Sequence, residues 1–294
     1  MPQSRYRRNF GDRTEGRLVR SLTPYNKLAP FLVKNRSGAS NYFEDNVEIT
    51  RAERFIRKKR AEGLPNLSML HLLIAAYVRT TAMYPALNRF VSGRRIFSRH
   101  AVEVVVPAKR SLHSETAETS VKVQFDPTDT IYDVYRRIDE NFDALKADGG
   151  FSRIENAATT LLKFPRIILS FVVGGLKFLD YFGRLPRSIL LASPFHGSMI
   201  IADPDSNVAT PAYHHLHDFG NLPLSLSFGR RRRVMELSAE GTPEENSYMD
   251  YNFVLDERIC NGNYYASAMR LLKHFLKNPH LLEQPPEKVY EDIF

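Results

Sequence analysis

The sequence predicts an α/β fold, because helical and strand-like segments alternate along most of its 294 residues. Arg51 to Glu62 has the charged, amphipathic pattern of a surface helix, and Gly63 directly after it is a typical helix terminator. Val102 to Pro107 is rich in β-branched residues, as a buried strand is. With 43% apolar and 25% charged residues, the chain is ordinary in composition and can form a large core.

Four helices are predicted from apolar periodicity and from the residues at their ends. Thr50 is a suitable N-cap for the first, and Ser68 for the second, which is apolar on most sides as a buried helix would be. Thr130 opens the third, and a Gly-Gly pair ends it. The last has a basic C-terminal end, which suits the helix dipole. The predicted helices cover residues 51–62, 69–83, 130–147 and 264–277.

Strands are predicted where β-branched or alternating apolar residues occur between turn residues. Residues 230–233 are four consecutive arginines and are expected to form a solvated turn between two of these strands. The alternative for Arg230 and Arg231 is a phosphate contact for a CoA-like ligand. The predicted strands cover residues 41–49, 90–91, 94–97, 102–107, 121–125, 197–202, 223–229, 234–237 and 248–255.

The bulk properties limit the classes of partner and compartment. A net charge of +8 favours anionic partners such as CoA, nucleic acid or an acidic membrane surface. No nucleic-acid-binding motif accompanies the basic clusters, so no nucleic-acid partner is predicted. The single Cys260 excludes an intrachain disulfide, and the polar, basic N-terminus has no signal-peptide pattern. We therefore expect a cytoplasmic protein.

One domain is predicted over residues 17–277. Residues 1–16 are polar, basic and Gly-containing, as in a flexible arm, and residues 278–294 form a Pro-rich, acidic tail. The most apolar region, 152–190, is predicted to be a helical insertion in the domain.

This insertion contains a ten-residue apolar run, Ile167 to Leu176. A membrane-spanning helix needs ~20 residues, so the run is too short to span. The favoured interpretation is a set of buried helices joined by turns at Pro165 and Pro186. The alternative is an exposed apolar face over 164–182 that meets a protein partner or a membrane.

The chemistry-bearing motif is Asp256-Glu257-Arg258-Ile259-Cys260-Asn261-Gly262. It resembles His-Arg-x-x-Asp-Gly, the active-site signature of the chloramphenicol acetyltransferase and dihydrolipoyl acyltransferase superfamily. Arg258 and Gly262 are kept, but Glu257 stands at the catalytic His position and Asn261 at the structural Asp position. Four other segments resemble family motifs in the same order: Tyr84 to Asn88, Ser98 to Val106, Gly197 to Ala202 and Leu222 to Gly229.

The resemblance implies a two-layer α/β sandwich of the CoA-dependent acyltransferase type, with a mixed sheet that carries helices on one face. It also implies a homotrimer in which the channel between subunits binds coenzyme A or acyl-CoA as a substrate. No covalently bound cofactor is expected. Residues 213–217 and 222–229 are expected to lie at or near the subunit contact.

In this family an imidazole takes the thiol proton, and a hydroxyl on the Ser/Thr strand stabilises the oxyanion. The hydroxyl position corresponds to Ala202. Ser198 lies four residues earlier on the same face, about 13 Å away at ~3.3 Å per residue. A carboxylate with an ordinary pKa of ~4.3, as at Glu257, is a weak base toward a thiol of pKa ~8.5, although burial raises a carboxyl pKa. These departures argue against standard acyl transfer.

Three further places in the sequence are candidates for a functional role. His196 begins the strand that faces the family's active site and is a candidate for a relocated base. His215 and His217 share a face if they lie on a strand, but no further ligand spacing completes a metal site, so none is predicted. Cys260 is expected to be a buried, inert thiol.

Two functions stay open. The first is an acyltransferase-like enzyme that uses Glu257 or His196 as base, with weak or altered acyl transfer at most because its active site is degenerate. The second is a pseudoenzyme, a non-catalytic trimeric binding or scaffold protein on the same fold. The altered signature favours the second, whereas the retained Arg258 and Gly262 favour the first.

Overall fold

The computed structural model describes residues 9–108, 119–147, 163–202, 211–238 and 240–293 of the chain. The helices are α1 (Pro24–Leu32), α2 (Thr50–Ala61), α3 (Met69–Met83), α4 (Ile131–Ala147), α5 (Arg166–Tyr181), α6 (Arg187–Ala192) and α7 (Gly262–Lys277). The strands are β1 (Gly16–Leu18), β2 (Ser40–Glu48), β3 (Arg89–Ser92), β4 (Arg95–Arg99), β5 (Val102–Ala108), β6 (Thr119–Phe125), β7 (Met199–Ala202), β8 (Leu224–Leu237) and β9 (Pro243–Asp256).

The main sheet has six strands in the order β2-β9-β8-β7-β5-β6. Strand β7 runs parallel to both of its neighbours, β5 and β8, and the other pairs are antiparallel. The sheet is therefore mixed, as predicted. A smaller antiparallel sheet has the order β1-β4-β3.

Alternate residues of the six strands face one layer of helices. In β5, Val102, Val104 and Val106 are fully buried in the same core as residues of α2, α3, α4 and α7. Strands β6, β7, β8 and β9 also contribute alternate residues to this core, which is the period of a strand with one face on a helix layer, and β2 contributes Val47. Helix α3 is buried over 71–82, which explains its apolar character on most sides. The two-layer sandwich with helices on one face is confirmed.

The strand prediction was wrong at the four arginines. One continuous strand, β8, runs from Leu224 to Leu237, and Arg231 to Arg233 pair with β9. The register is irregular between Phe228 and Arg231, so the expected turn is only a local disturbance of the ladder. The hairpin turn between β8 and β9 lies beyond Leu237, between two of the predicted strands, and Gly241 within it has a φ of 77°.

The favoured burial of the apolar insertion was also wrong for α5. Phe171 is 78% exposed and Ile167 is 71% exposed, whereas Asp180 is the buried residue of this helix. The part of the insertion at 152–162 lies outside the described residues. No helix among the residues that the structure describes is long and apolar enough to cross a membrane.

Both chain ends contact the body of the protein. Residues 1–8 of the predicted arm lie outside the described residues, but Arg13 is 4% exposed. In the predicted tail, Leu282 is buried, and the Asp292 carboxylate accepts a hydrogen bond of 2.7 Å from Nε of Arg89.

Candidate active site

The altered signature forms a tight connection between β9 and α7. Asp256 is the last residue of β9, and its backbone N–H donates to the Pro223 carbonyl at 2.8 Å. The Glu257 N–H donates to the Ala39 carbonyl at 2.9 Å. Gly262 begins α7, so the chain passes from strand to helix within five residues. The loop is thereby fixed at both ends and along its backbone.

Arg258 is held by a buried bidentate pair with Asp256. Its Nε donates to Oδ1 at 2.7 Å and its Nη2 to Oδ2 at 2.6 Å, and its Nη1 donates to the Val33 carbonyl at 2.9 Å. A second cation, Arg36, brings its Nε within 3.6 Å of the same carboxylate. Burial lowers the pKa of Arg36, and the charge of Asp256 opposes this effect. Arg258 is therefore a structural link between the loop and the N-terminal segment.

Asn261 acts as a helix cap. Its side-chain oxygen accepts a hydrogen bond of 2.9 Å from the Tyr264 backbone N–H, in the first turn of α7. This is the usual role of Asn at an N-cap. Asn261 stands at the structural Asp position of the signature and carries no charge, and the carboxylate that pairs with Arg258 comes from Asp256.

Glu257 is the exposed ionisable side chain of the signature. Its carboxylate accepts one hydrogen bond of 3.1 Å, from the side-chain amide of Asn41 on β2. A single chain does not bury this side chain. The carboxylate is open to solvent, to a ligand or to a neighbouring subunit.

The two candidate positions on and beside β7 lie at opposite ends of the strand. Ser198 is fully buried, and its hydroxyl accepts a hydrogen bond of 2.8 Å from the Glu103 backbone N–H. Its own N–H donates to the Glu103 carbonyl at 2.7 Å. Ala202 is paired with Ser227 at the far end. Ser198 therefore links the start of β7 to β5, and Ala202 has no hydroxyl that could stabilise an oxyanion.

His196 lies in a buried array with a serine and an aspartate. Its ring is 1% exposed, with Nδ1 at 2.8 Å from the Ser193 hydroxyl and Nε2 at 3.4 Å from Oδ1 of Asp180. The same carboxylate oxygen is 3.4 Å from Nη1 of Arg13. Burial alone would raise the pKa of Asp180, but contact with His196 and then with Arg13 outweighs it, so this pKa is lowered.

The structure groups the candidates only in part. Glu257, Arg258 and Asn261 share one loop, whereas His196 and Ser198 lie at the start of β7. Strand β8 separates β7 from β9, so two strand spacings, or ~10 Å, divide the two groups within one chain.

The arginines of β8 lie on the exposed, protruding part of that strand. Arg231 donates to a carboxylate oxygen of Glu53 at 2.7 Å, and Arg232 pairs with Asp250. Arg230 is exposed as well. The phosphate contact proposed for Arg230 and Arg231 thus stays a prediction, and Arg231 already has an intramolecular partner.

The histidine stretch and the cysteine carry no evident chemistry in this chain. The rings of His215 and His217 lie 4.9 Å apart and edge-on, in a segment without strand pairing. No group of three or more His, Cys, Asp or Glu residues able to hold a metal ion occurs in the described part of the chain. Burial raises the pKa of the Cys260 thiol to about 12, so the thiol is protonated at neutral pH.

One buried polar cluster beside the start of β7 escaped the sequence patterns. Arg99 donates to the Gly197 carbonyl at 2.9 Å and to the side-chain oxygen of Asn221 at 2.7 Å, and it lies 4.4 Å over the Phe90 ring. Its Nη1 is 3.3 Å from Glu103. Gly197 and Asn221 are 98 and 122 residues away from Arg99, so no local spacing could have indicated these contacts.

Solved structures of other proteins share this architecture. A chloramphenicol acetyltransferase superposes with a TM-score of 0.55 at 12% identity, covering 89% of this chain and 99% of its own. The chain has the chloramphenicol acetyltransferase fold. A probable dihydrolipoamide acetyltransferase from Listeria monocytogenes superposes with a TM-score of 0.54, also at 12% identity, covering 88% of this chain and 95% of its own.

The structural likeness confirms at the level of fold the resemblance expected from the signature. No family model matches the sequence, and no curated protein is significantly similar to it. At 12% identity the likeness shows the chloramphenicol acetyltransferase fold and leaves the activity to be argued from the residues themselves.

Proposed function

We propose that this chain is an acyltransferase-like protein with a degenerate active site, which binds a CoA-type ligand and transfers acyl groups weakly at most. The main support for the proposal is that most polar side chains of the candidate site are bonded or buried within the chain and cannot contact a substrate. Arg258 and Ser198 are engaged in buried structural bonds, and His196 is 1% exposed. Glu257 is the one exposed ionisable group of the altered signature.

The proposed loss of activity follows from the chemistry of acyl transfer to a thiol. The reaction needs a base to remove the thiol proton and a donor to stabilise the oxyanion, and general acid–base help alone is worth ~10²–10⁴ in rate. Glu257 supplies a carboxylate where the family has an imidazole, and Ala202 supplies no donor. Both the removal of the thiol proton and the stabilisation of the oxyanion are therefore weakened.

A homotrimer is part of the proposal, by analogy with the superfamily. Tyr213 is 44% exposed, and His215 is also exposed, so this stretch is available for contact with a second subunit. Leu224 to Phe228, in contrast, are buried within one chain. We therefore expect the 213–217 stretch, and not strand 222–229, to form the contact. A monomer in light scattering at micromolar concentration would exclude the trimer.

The activity test compares the wild type with Glu257→Gln and with the triple variant Glu257→His, Asn261→Asp, Ala202→Ser. Acetyl transfer to a thiol is followed by free CoA release. We expect no turnover in the wild type and detectable turnover in the triple variant. Glu240→Gln, an exposed glutamate in the hairpin turn, is the matched control. Efficient wild-type turnover that survives Glu257→Gln would refute this placement of the site.

Binding is measured separately, by calorimetry with CoA and acetyl-CoA. If the protein binds without catalysis, Glu257→Gln changes the affinity by less than about tenfold, or ~1.4 kcal/mol. The enzymatic alternative, with Glu257 as base, has one observation in its favour, the exposure of the carboxylate. It predicts wild-type turnover that Glu257→Gln abolishes. Absence of CoA binding and turnover together would exclude both functions.

A further inference from the structure

The outward face of α5 is a continuous apolar surface. Phe171 is 78% exposed, Ile167 71% and Phe178 65%. Their spacing of four and seven residues places them on one side of the helix. Phe182, just after the helix, is 58% exposed and extends the same stripe. Four large apolar side chains on this helix or just after it are thus more than half exposed.

The orientation of α5 is fixed at its C-terminal end. Asp180 is buried and contacts both Arg13 and His196. Nη2 of Arg13 also donates to the Tyr181 carbonyl at 2.8 Å. The helix would have to break this buried network to turn Phe171 and Phe178 toward the body of the protein. The apolar stripe is therefore held outward by the fold.

The charges around the stripe have one sign. The segment 163–187 has five cations, and each is exposed; they are Lys163, Arg166, Lys177, Arg184 and Arg187. Its one acidic residue is Asp180, which is buried. Arg166 and Lys177 are eleven residues apart, about three turns, so they border the same flank of the helix.

We propose that α5 lies in the plane of an anionic lipid surface, with Ile167, Phe171 and Phe178 in the headgroup–acyl boundary. A helix of 16 residues is shorter than the ~20 needed to span a bilayer, so it binds parallel to the surface. The bordering cations attract anionic headgroups. A second copy of the chain on this face would place like charges against each other, which disfavours self-association there.

The chain contains no tryptophan, so one introduced residue is a unique fluorescent probe. Phe171→Trp reports on the stripe, and Leu237→Trp, at a position 74% exposed at the end of β8, is the matched control. Vesicles of phosphatidylcholine, with and without an equimolar share of phosphatidylglycerol, are added to the whole protein. We expect a blue shift for Phe171→Trp with the anionic vesicles, weakened by salt, and none for Leu237→Trp.

Co-sedimentation with the same vesicles completes the test. The pair Phe171→Ser and Phe178→Ser should weaken binding more than ~tenfold. The control pair Met235→Ser and Leu237→Ser, exposed on β8, should leave it unchanged. Several outcomes would overturn the proposal: no binding, binding that the Phe171 and Phe178 changes leave intact, or a Phe171→Trp emission already blue-shifted without vesicles. A change in oligomer size in the Phe171 and Phe178 variant, without vesicle binding, would instead assign the face to a protein contact.

Discussion

Replacing Asp256 with Asn tests whether the signature arginine is structural. The change removes the negative charge between two buried cations while it keeps the shape of the side chain. Arg258 loses both charge-assisted bonds to the carboxylate, and Arg36, at 3.6 Å, loses its counter-charge. Removing one partner of a buried pair costs about 3–5 kcal/mol, because the other charge stays buried without compensation. We expect a loss of unfolding free energy in this range.

The matched control is Asp250→Asn. Asp250 pairs with Arg232 at 3.2 Å, but the two side chains are 32% and 49% exposed. An exposed pair is worth about 0–1 kcal/mol, so this variant should be close to the wild type. Urea unfolding of both variants at neutral pH gives the comparison. Salt should reduce the small effect of Asp250→Asn and leave that of Asp256→Asn largely unchanged.

Arg258→Met separates the two cations. This variant keeps Arg36 as a partner for Asp256, so we expect a smaller loss of stability than for Asp256→Asn. The double variant then gives the coupling energy between Asp256 and Arg258, which should exceed about 1 kcal/mol for side chains in direct contact. A loss below about 1 kcal/mol for Asp256→Asn, equal to that of Asp250→Asn, would refute a structural role for the pair.

Three further predictions concern buried groups and the start of α7. Burial lowers the pKa of His71 to about 4, against ~6.5 in the unfolded chain. The free energy of unfolding should therefore fall by up to about 3 kcal/mol as the pH drops from 6.5 to 4. In urea unfolding, His71→Gln should reduce this dependence on pH. Burial lowers the pKa of Lys122 to about 8, so stability should rise between pH 8 and ~10.4, and Lys122→Met should abolish that rise. Gly262→Ala should stabilise the isolated chain by up to about 1 kcal/mol, because Ala loses less backbone entropy than Gly on folding. Nothing among the described residues lies within 4 Å of the added Cβ, so no clash opposes this gain.

Much of the fold could be predicted because the signals are local. The boundaries of α3, Met69–Met83, match those expected from its apolar pattern after Ser68. Val102 to Pro107 lies within β5, where β-branched side chains are fully buried. In both cases the residues that define the element also determine its packing.

The predictions were wrong where residues distant in sequence determine the local structure. The arginines at 231–233 are strand residues because β9 supplies hydrogen-bond partners and carboxylates such as Asp250. Helix α5 is exposed although apolar, because its buried contact is the polar network of Asp180 with Arg13, 167 residues earlier. Sequence patterns around either segment contain no information about these partners.

The site was predicted in position but not in its contacts. The signature does connect a sheet strand to the last long helix, as the predicted strand 248–255 and the predicted helix 264–277 require. The partner of Arg258 is Asp256, two residues before it, and not the residue at 261, three residues after it. Only the geometry of the turn decides between them.

Arg258 and Gly262 are both retained from the signature, but for different physical reasons. The chain itself explains Arg258, through Asp256 and the Val33 carbonyl, so its presence is no argument for catalysis. Gly262 differs, because among the described residues nothing lies within 4 Å of an added Cβ. A close approach by a ligand or a neighbouring subunit is a physical reason for glycine there. Gly262→Ala should then stabilise the monomer fold and yet weaken CoA binding or trimer assembly. Unchanged binding and assembly in this variant would remove Gly262 as an argument for a working site.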